Sequence, residues 1–368
     1  MAPKKLDLDK SFSQVIQPSV NLTEAENFLS HFILELMQTL TATAPCRISF
    51  AGGGSDISEF FLRDRGAVVS AAISKMVQVS IAPSKSHLFE LEWAQVETAT
   101  QPGELTHCLT REGLRLIGTS APVSIKSCSA VSTAGSGLGA SSAYCVALLA
   151  ALDRLQGGGF SRSELAQLAC YLEIERCQRQ IGKQDAYASS LGSLNLFEFL
   201  EDGRVLVNPI EIEKQTKLEF ERHLLLFDTG FRRNSSRIVA GYGGVGAIED
   251  RRSSIRDLVK FAYELKSLLE KGRLEEVGPL LHEAWKIKKG LSDAVTNSVI
   301  DDAYESALRA GASGGKLLGA GAGGHLLIYA KPQSHGEIIS AIPNFVPVAF
   351  KFQDSGVVVQ RLEMVTNT

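Results

Sequence analysis

The stretch STAGSGLGASSAY, Ser132–Tyr144, decides how the rest of the chain is read. Gly135, Gly137 and Gly139 alternate with Ser136 and Leu138; Ala140, Ser141 and Ser142 then lead into an apolar tract. The pattern predicts a glycine turn opening a helix over Ala140–Leu155, buried because it is apolar nearly all round. Such a turn aims bare backbone N–H groups at one point with the positive end of the helix dipole behind them, which favours an anion. Glycine permits positive φ and close backbone approach. Two common nucleotide loops are excluded by spacing. No lysine follows Gly139, as G-x-x-x-x-G-K-[ST] requires, and G-x-G-x-G is not G-x-G-x-x-G. Ser141 and Ser142 are placed to cap the helix or to meet a metal carried on phosphates. The plain alternative is a tight turn that only packs the helix.

A chain of 368 residues suggests two domains or one large one, and 44% apolar with 21% charged residues is ordinary for a globular protein. The net charge of −3 gives no overall pull toward nucleic acid or anionic lipid. The longest apolar tract is too short to span a bilayer, and the residues after Lys4 and Lys5 form no signal-peptide core. A soluble, cytoplasmic protein is expected. The six cysteines, at 46, 108, 128, 145, 170 and 177, include no C-x-x-C pair, which predicts free thiols in a reducing compartment. The seven histidines are scattered, so a protein-held zinc site is not expected. His325, beside a glycine run, is read as structural rather than as a ligand.

Residues 1–42 form an extension in which Thr23–Leu40 reads as a helix, with Thr23 and Glu26 as a capping box. That helix is expected to pack on the body or at a dimer contact, and a homodimer is among the assemblies left open. Short strands follow at Cys46–Phe50, Ala67–Ile73, Met76–Ile81, Leu88–Trp93 and Val123–Cys128. Ser161 with Glu164 opens a helix predicted to reach about Gln180; Leu194–Leu200 and Arg204–Val207 read as a hairpin, and His223–Phe227 as a strand. Residues 247–310 are mostly helical, and a strand at 326–330, a helix near 335–342 and strands at 347–352 and 356–363 close the chain. Runs of strands followed by runs of helices argue for an α+β fold rather than a doubly wound parallel sheet. The expected division is 43–210 and 211–368.

Two more glycine loops flank the first. In CRISFAGGGSDISEF, Cys46–Phe60, a strand carrying Arg47 ends in Gly52-Gly53-Gly54, Ser55 and Asp56. A charge inside a strand needs a partner or a ligand, and Asp56 can accept from sugar hydroxyls; the plain reading is a capped turn. In KLLGAGAGGHLLIYA, Lys316–Ala330, four glycines precede an apolar strand, as at a bulged hairpin entry. Between them lies IGKQDAYASSLGSLNLFEF, Ile181–Phe199, with Asp185. Each loop alone is weak; their order with the carboxylate motif between them is the strong signal.

In that order the chain resembles the GHMP kinases, over about residues 43–365. The resemblance extends to the branch acting on heptose 7-phosphate at carbon 1, through A-P-x-R-I-S-F-A-G-G-G-S-D at 44–56, G-K-Q-D at 182–185 and T-G-x-x-R-x-S at 229–235. It implies a two-domain fold: an N-terminal domain with a left-handed βαβ-type phosphate loop and a ferredoxin-like α+β C-terminal domain with extra helices. It implies ATP and Mg2+, with Gly135–Ser142 around the phosphates, Ser141 on the metal and Glu175 as second metal ligand. Asp185 would be the catalytic carboxylate and Arg47 would lie near the transferred phosphoryl group. Gly54, Ser55, Asp56, Lys183, Gly321 and Gly323 would face the sugar, and Arg233, Arg232 and Ser235 its distal phosphate. Phosphoryl transfer needs positioning and charge neutralisation more than covalent chemistry, and an anomeric hydroxyl is a comparatively acidic acceptor. Thr133-Ala134 stands where the family has Pro-Pro, Ala140 where it has serine, and Ala322 where it has glycine. If position 322 needs positive φ, alanine there costs about 1 kcal/mol. The rivals left open are a kinase of another sugar, such as a fucose-type sugar or an octose 7-phosphate, and a catalytically silent sugar sensor; an NAD-dependent enzyme is disfavoured by the loop spacing.

Overall fold

The computed structural model describes residues 39–132, 135–232 and 245–361, with 245–250 as backbone only. The predicted helix at 23–40 lies outside these residues except at its end, where Leu40 already opens the first strand.

Strand β1 (Leu40–Ala51) and the long β2 (Gly66–Pro83) pair antiparallel along most of their length, with register shifts at Pro45/Cys46 and Ser49/Ala51. The two predicted strands of 67–81 are one, because no turn residue interrupts them. Helix α1 (Ser58–Phe61) lies between β1 and β2. β3 (Phe89–Glu92), β4 (Val96–Ala99) and β5 (Val123–Ser129) extend the sheet in the order β1-β2-β5-β3-β4, with helix α2 (Cys108–Ile117) before β5. The other half of β2 pairs with β6 (Leu194–Phe199), which makes the expected hairpin with β7 (Val205–Pro209).

Helix α3 (Ala140–Leu155) spans the predicted residues and has almost no exposed face, lying against β1 and β2. Helix α4 (Arg162–Cys170) starts at the Ser161–Glu164 capping box, with both reciprocal bonds formed. It does not continue to Gln180 as an α-helix: Tyr171–Arg176 is a π-helical turn, and α5 (Gln184–Leu191) starts anew.

After α6 (Lys214–Arg222), β8 (Leu224–Asp228) begins a second sheet. Helices α7 (Val245–Glu270), α8 (Val277–Lys289) and α9 (Ser298–Arg309) precede β9 (Ala312–Leu317) and β10 (His325–Ala330). With α10 (His335–Ala341) and β11 (Val346–Pro347), this gives an antiparallel sheet β11-β8-β10-β9 backed by helices, a mixed α+β architecture. Its core holds Phe227, Trp285, Tyr304 and Ile328. Of the predicted 347–352 strand only Pro347 belongs to a strand, and Phe352 makes an isolated bridge with Ile73. β12 (Val358–Arg361) crosses back to pair with residues 40–43 of β1, so the end of the chain joins the first sheet. Among the described residues no helix is long and apolar enough to cross a membrane.

Candidate active site

Gly135, Gly137 and Gly139 have φ of 69°, 73° and 74°. The G-x-G-x-G spacing is therefore a run of alternate left-handed residues, a conformation close to glycine's own. The loop ends at the N-terminus of α3 and, with Ser136, Ala140, Ser141 and Ser142, lines one wall of a cavity of about 850 Å³. Leu138 is buried away from it, and its carbonyl accepts from Arg47 N at 2.8 Å.

Arg47 reaches the cavity from β1. Its Nε and Nη2 donate to Asp185 Oδ1 and Oδ2 at 2.7 and 2.8 Å, and its Nη1 to Gly137 O at 2.6 Å. A planar guanidinium gripping a carboxylate at two points fixes direction as well as charge. Asp185, on the first turn of α5, is a quarter exposed, toward the cavity. Asp56 lies beside it, accepting from the backbone N–H groups of Gly54 and Gln184. Burial, then the neighbouring Asp185 charge, push the Asp56 carboxyl above its usual range. Gly182 is required there, since a Cβ would fall 1.9 Å from Asp56 Oδ2. Gly54 also lines the cavity.

Two residues expected at the sugar are turned elsewhere. Ser55 is fully buried, its hydroxyl donating to Gly52 O and accepting from Ala67 N, so it locks the turn onto β2. Lys183 Nζ donates to Gly203 O at 2.6 Å and lies 4.8 Å from the Phe61 ring centroid, engaged with the β6–β7 hairpin rather than the cavity.

The expectation for Glu175 is corrected. Glu175 is exposed and absent from the cavity wall, whereas Glu173 is buried on it. Two positions on a helical turn put side chains on nearly opposite sides. The buried stripe Ala166, Ala169, Cys170 runs on to Glu173, so helical periodicity alone could have singled it out. Arg179 Nη1 donates to Glu173 Oε1 at 2.5 Å and to Ser141 Oγ at 2.6 Å. Burial raises the Glu173 carboxyl's pKa, opposed by Arg179 and by a hydrogen bond from Ser142.

Cys177, at the end of this turn, is bonded to Cys108 of α2, with Cα atoms 6.1 Å apart. The expectation of six free thiols is corrected: Cys46, Cys128, Cys145 and Cys170 are free, and the bonded pair lies 69 residues apart, beyond the reach of a local spacing rule. The far end of the cavity, near α2, is lined by Trp93, His107, Leu109 and Tyr144, with the Trp93 and His107 rings 4.5 Å apart.

The third glycine loop contributes only Gly319 and Ala320 to the cavity wall. Gly321 and Gly323 are not sugar contacts but backbone contacts, where a Cβ would meet Val295 O at 2.5 Å and Phe231 O at 2.7 Å. Ala322 does have positive φ, 64°. His325 accepts the structural role, pairing its Nδ1 with Ser136 O at 2.7 Å and joining this loop to the first. Sequence reading missed Lys288, which lines the cavity and donates to Gly319 O at 2.6 Å; burial, then Arg47, lower its pKa to about 8. Lys316, also buried, donates to Phe50 O. Lys288 stands in no recognisable motif, while Lys316 heads the third glycine stretch. Arg232 lines the cavity with its guanidinium on Asp228; Arg233 and Ser235 lie outside the described residues.

The arrangement offers backbone donors for an anion, a carboxylate aimed into the cavity, cations around it and hard oxygens at Ser141 and Glu173. Among the described residues no cluster of three or more His, Cys, Asp or Glu could hold a metal by itself. A magnesium ion that brings phosphate and water ligands needs fewer protein oxygens, so this donor set fits it.

The family model described as GHMP kinases N terminal domain matches residues 106–193, and that described as GHMP kinases C terminal matches residues 265–347. A D-glycero-alpha-D-manno-heptose 7-phosphate kinase of Campylobacter jejuni is 28% identical over 319 residues, 83% of this chain and 94% of the relative. An L-fucokinase/L-fucose-1-P guanylyltransferase of Bacteroides fragilis is 26% identical over 81% of this chain, which spans only 35% of that protein. The solved structure of a D-glycero-D-manno-heptose 1-phosphate kinase from Bacteroides thetaiotaomicron aligns with a TM-score of 0.73 at 25% identity, over 88% of this chain and all of the other. Matches to both halves, in order and on one continuous fold, mean that this chain belongs to the GHMP kinases.

Proposed function

We propose that the protein transfers the γ-phosphoryl group of ATP to the anomeric hydroxyl of a sugar phosphate, D-glycero-D-manno-heptose 7-phosphate, giving the 1,7-bisphosphate. The observation that carries the reading is the Arg47–Asp185 pair, held between the glycine loop and Asp56 on one cavity. The heptose 7-phosphate kinase relative, matched along nearly its whole length, supports the substrate.

In this reading the amides of Gly135–Ser142 hold the nucleotide phosphates, and the aromatic end at Trp93 and Tyr144 takes the base. Ser141 and Glu173, rather than Glu175, would hold magnesium, which when bound neutralises phosphate charge. Asp56 accepts from sugar hydroxyls and sets the acceptor's orientation. Asp185, aimed by Arg47, accepts the hydrogen bond of the anomeric hydroxyl and takes its proton as the phosphoryl group moves. Arg47, already on Gly137 O, neutralises charge on the transferred group.

The second reading, a kinase of an unphosphorylated fucose-type sugar, is favoured by the fucokinase relative and by Arg232 being taken up by Asp228. The test is ATP consumption with magnesium across 1-hydroxy sugars with and without a terminal phosphate. Turnover dependent on the 7-phosphate is expected; equal turnover without it gives the second reading, and none with any sugar sinks both.

A further inference from the structure

We propose that Arg179 holds the place a divalent cation would take, so that arginine and metal compete for Ser141 and Glu173. The inference rests on the nucleotide-site reading above. A single nitrogen, Nη1, bonds both Ser141 Oγ and Glu173 Oε1, at 2.6 and 2.5 Å. The two oxygens therefore lie no farther apart than those two bonds laid end to end. One magnesium ion bound to two oxygens needs them about 3–4 Å apart. A cation already sits where both can be reached at once.

Three observations support competition rather than a merely structural pair. Glu173 is 1% exposed, and a buried carboxylate without a counter-cation is costly, so its charged form needs a positive partner whenever no metal is bound. Arg179 is itself on the cavity wall and about a quarter exposed, so its guanidinium has room to leave. Among the described residues its Nε and Nη2 donate to no protein atom, and these donors are free to follow a phosphate oxygen when Nη1 is displaced. The backbone supports the placement: just past the π-helical segment, which Cys177 N closes on Leu172 O, Arg179 N donates to Glu173 O at 3.0 Å and brings its side chain back over that carboxylate. The exchange moves charge without leaving Glu173 bare: metal replaces guanidinium on the carboxylate, and guanidinium finds the phosphates.

Competition and a structural role predict opposite signs for removing the arginine. The full chain is first saturated with ADP, with calorimetry establishing that ADP binds. Mn2+ is then titrated as a magnesium probe and free ion counted by electron paramagnetic resonance. Arg179→Met is expected to tighten Mn2+ about tenfold, the value of one lost charge-assisted competitor. Glu173→Gln is expected to weaken Mn2+ in either background. Unchanged or weaker Mn2+ binding by Arg179→Met overturns the proposal. If that variant does not fold, Arg179→Lys, which keeps the charge but lacks the planar fork, carries the test. About threefold tightening supports the proposal, and no tightening overturns it. Failure of the wild-type protein to bind ADP would instead sink the nucleotide-site reading itself.

Discussion

Two glycine-rich loops, 135–139 and 319–324, look alike in composition and differ in use. In the first, alternate glycines take the left-handed conformation and Gly135, Ser136, Gly137 and Gly139 all line the cavity. In the second, Gly321, Gly323 and Gly324 are small because other backbone runs against them, at Val295, Phe231 and Ser136. The second loop holds the first in place, through Gly137 against Leu318 and His325 on Ser136. Glycine content therefore marks close approach, and only the tertiary fold says whether a ligand or another strand approaches.

The largest test is Asp185→Asn, at the first loop's side of the cavity. It is expected to lower turnover about 10²–10⁴-fold with nucleotide affinity by calorimetry almost unchanged; retained turnover would remove Asp185 from the proton-accepting role. Paired alanine substitutions then strain the comparison itself. At Gly139 a Cβ would lie 3.2 Å from Asp185 Oδ2, so activity should fall roughly 100-fold, about 3 kcal/mol in barrier. At Gly321 it would lie 2.5 Å from Val295 O, so chemical denaturation should show about 2–3 kcal/mol lost while the folded fraction keeps its nucleotide affinity. A stable but inactive Gly321→Ala protein would break the distinction.

Cys108→Ser removes the bond that ties α2 to the turn carrying Glu173. Denaturation should show a loss of about 2–4 kcal/mol, unmatched by Cys128→Ser. A smaller effect is expected from Lys288, which joins the second loop to the cavity. Its pKa of about 8, lowered first by burial, means that it carries charge below that pH and loses it above. Arg47 and Asp56 face it and Lys316 lies near. Affinity for the phosphorylated acceptor should weaken several-fold as pH rises from 7 to 9, and Lys288→Met should flatten that profile. The sign for stability is the reverse: a depressed lysine pKa costs stability that grows as pH falls from the unfolded value toward 8 and is constant below. Smallest of all, Ala322→Gly should gain about 0.5–1 kcal/mol by relieving a left-handed alanine, with turnover unchanged.

Much of the site could be read from local pattern. The glycine turn and the buried helix after it, Arg47 in a strand and the Asp185 motif were all visible, because each is written in consecutive residues with a physical signature. Local pattern also gave most strands and the 161–164 cap. It failed where position depends on a turn of helix or on distant chain. The motif pointed to Glu175 as a metal ligand, whereas Glu173 continues the buried face of α4. Ser55 and Lys183 have suitable chemistry and point elsewhere.

What the amino-acid order determined alone is the set of conformations and charges available: left-handed turns at Gly135, Gly137 and Gly139, an apolar helix without a solvent face, and acids and arginines spaced along separate elements. Tertiary structure decided which of these meet. Arg47 and Asp185 are 138 residues apart, the bonded cysteines 69, and β12 returns to β1 from the far end of the chain. Backbone preference acts over a few residues, whereas pairing of charges, thiols and strand edges depends on packing that no short stretch encodes.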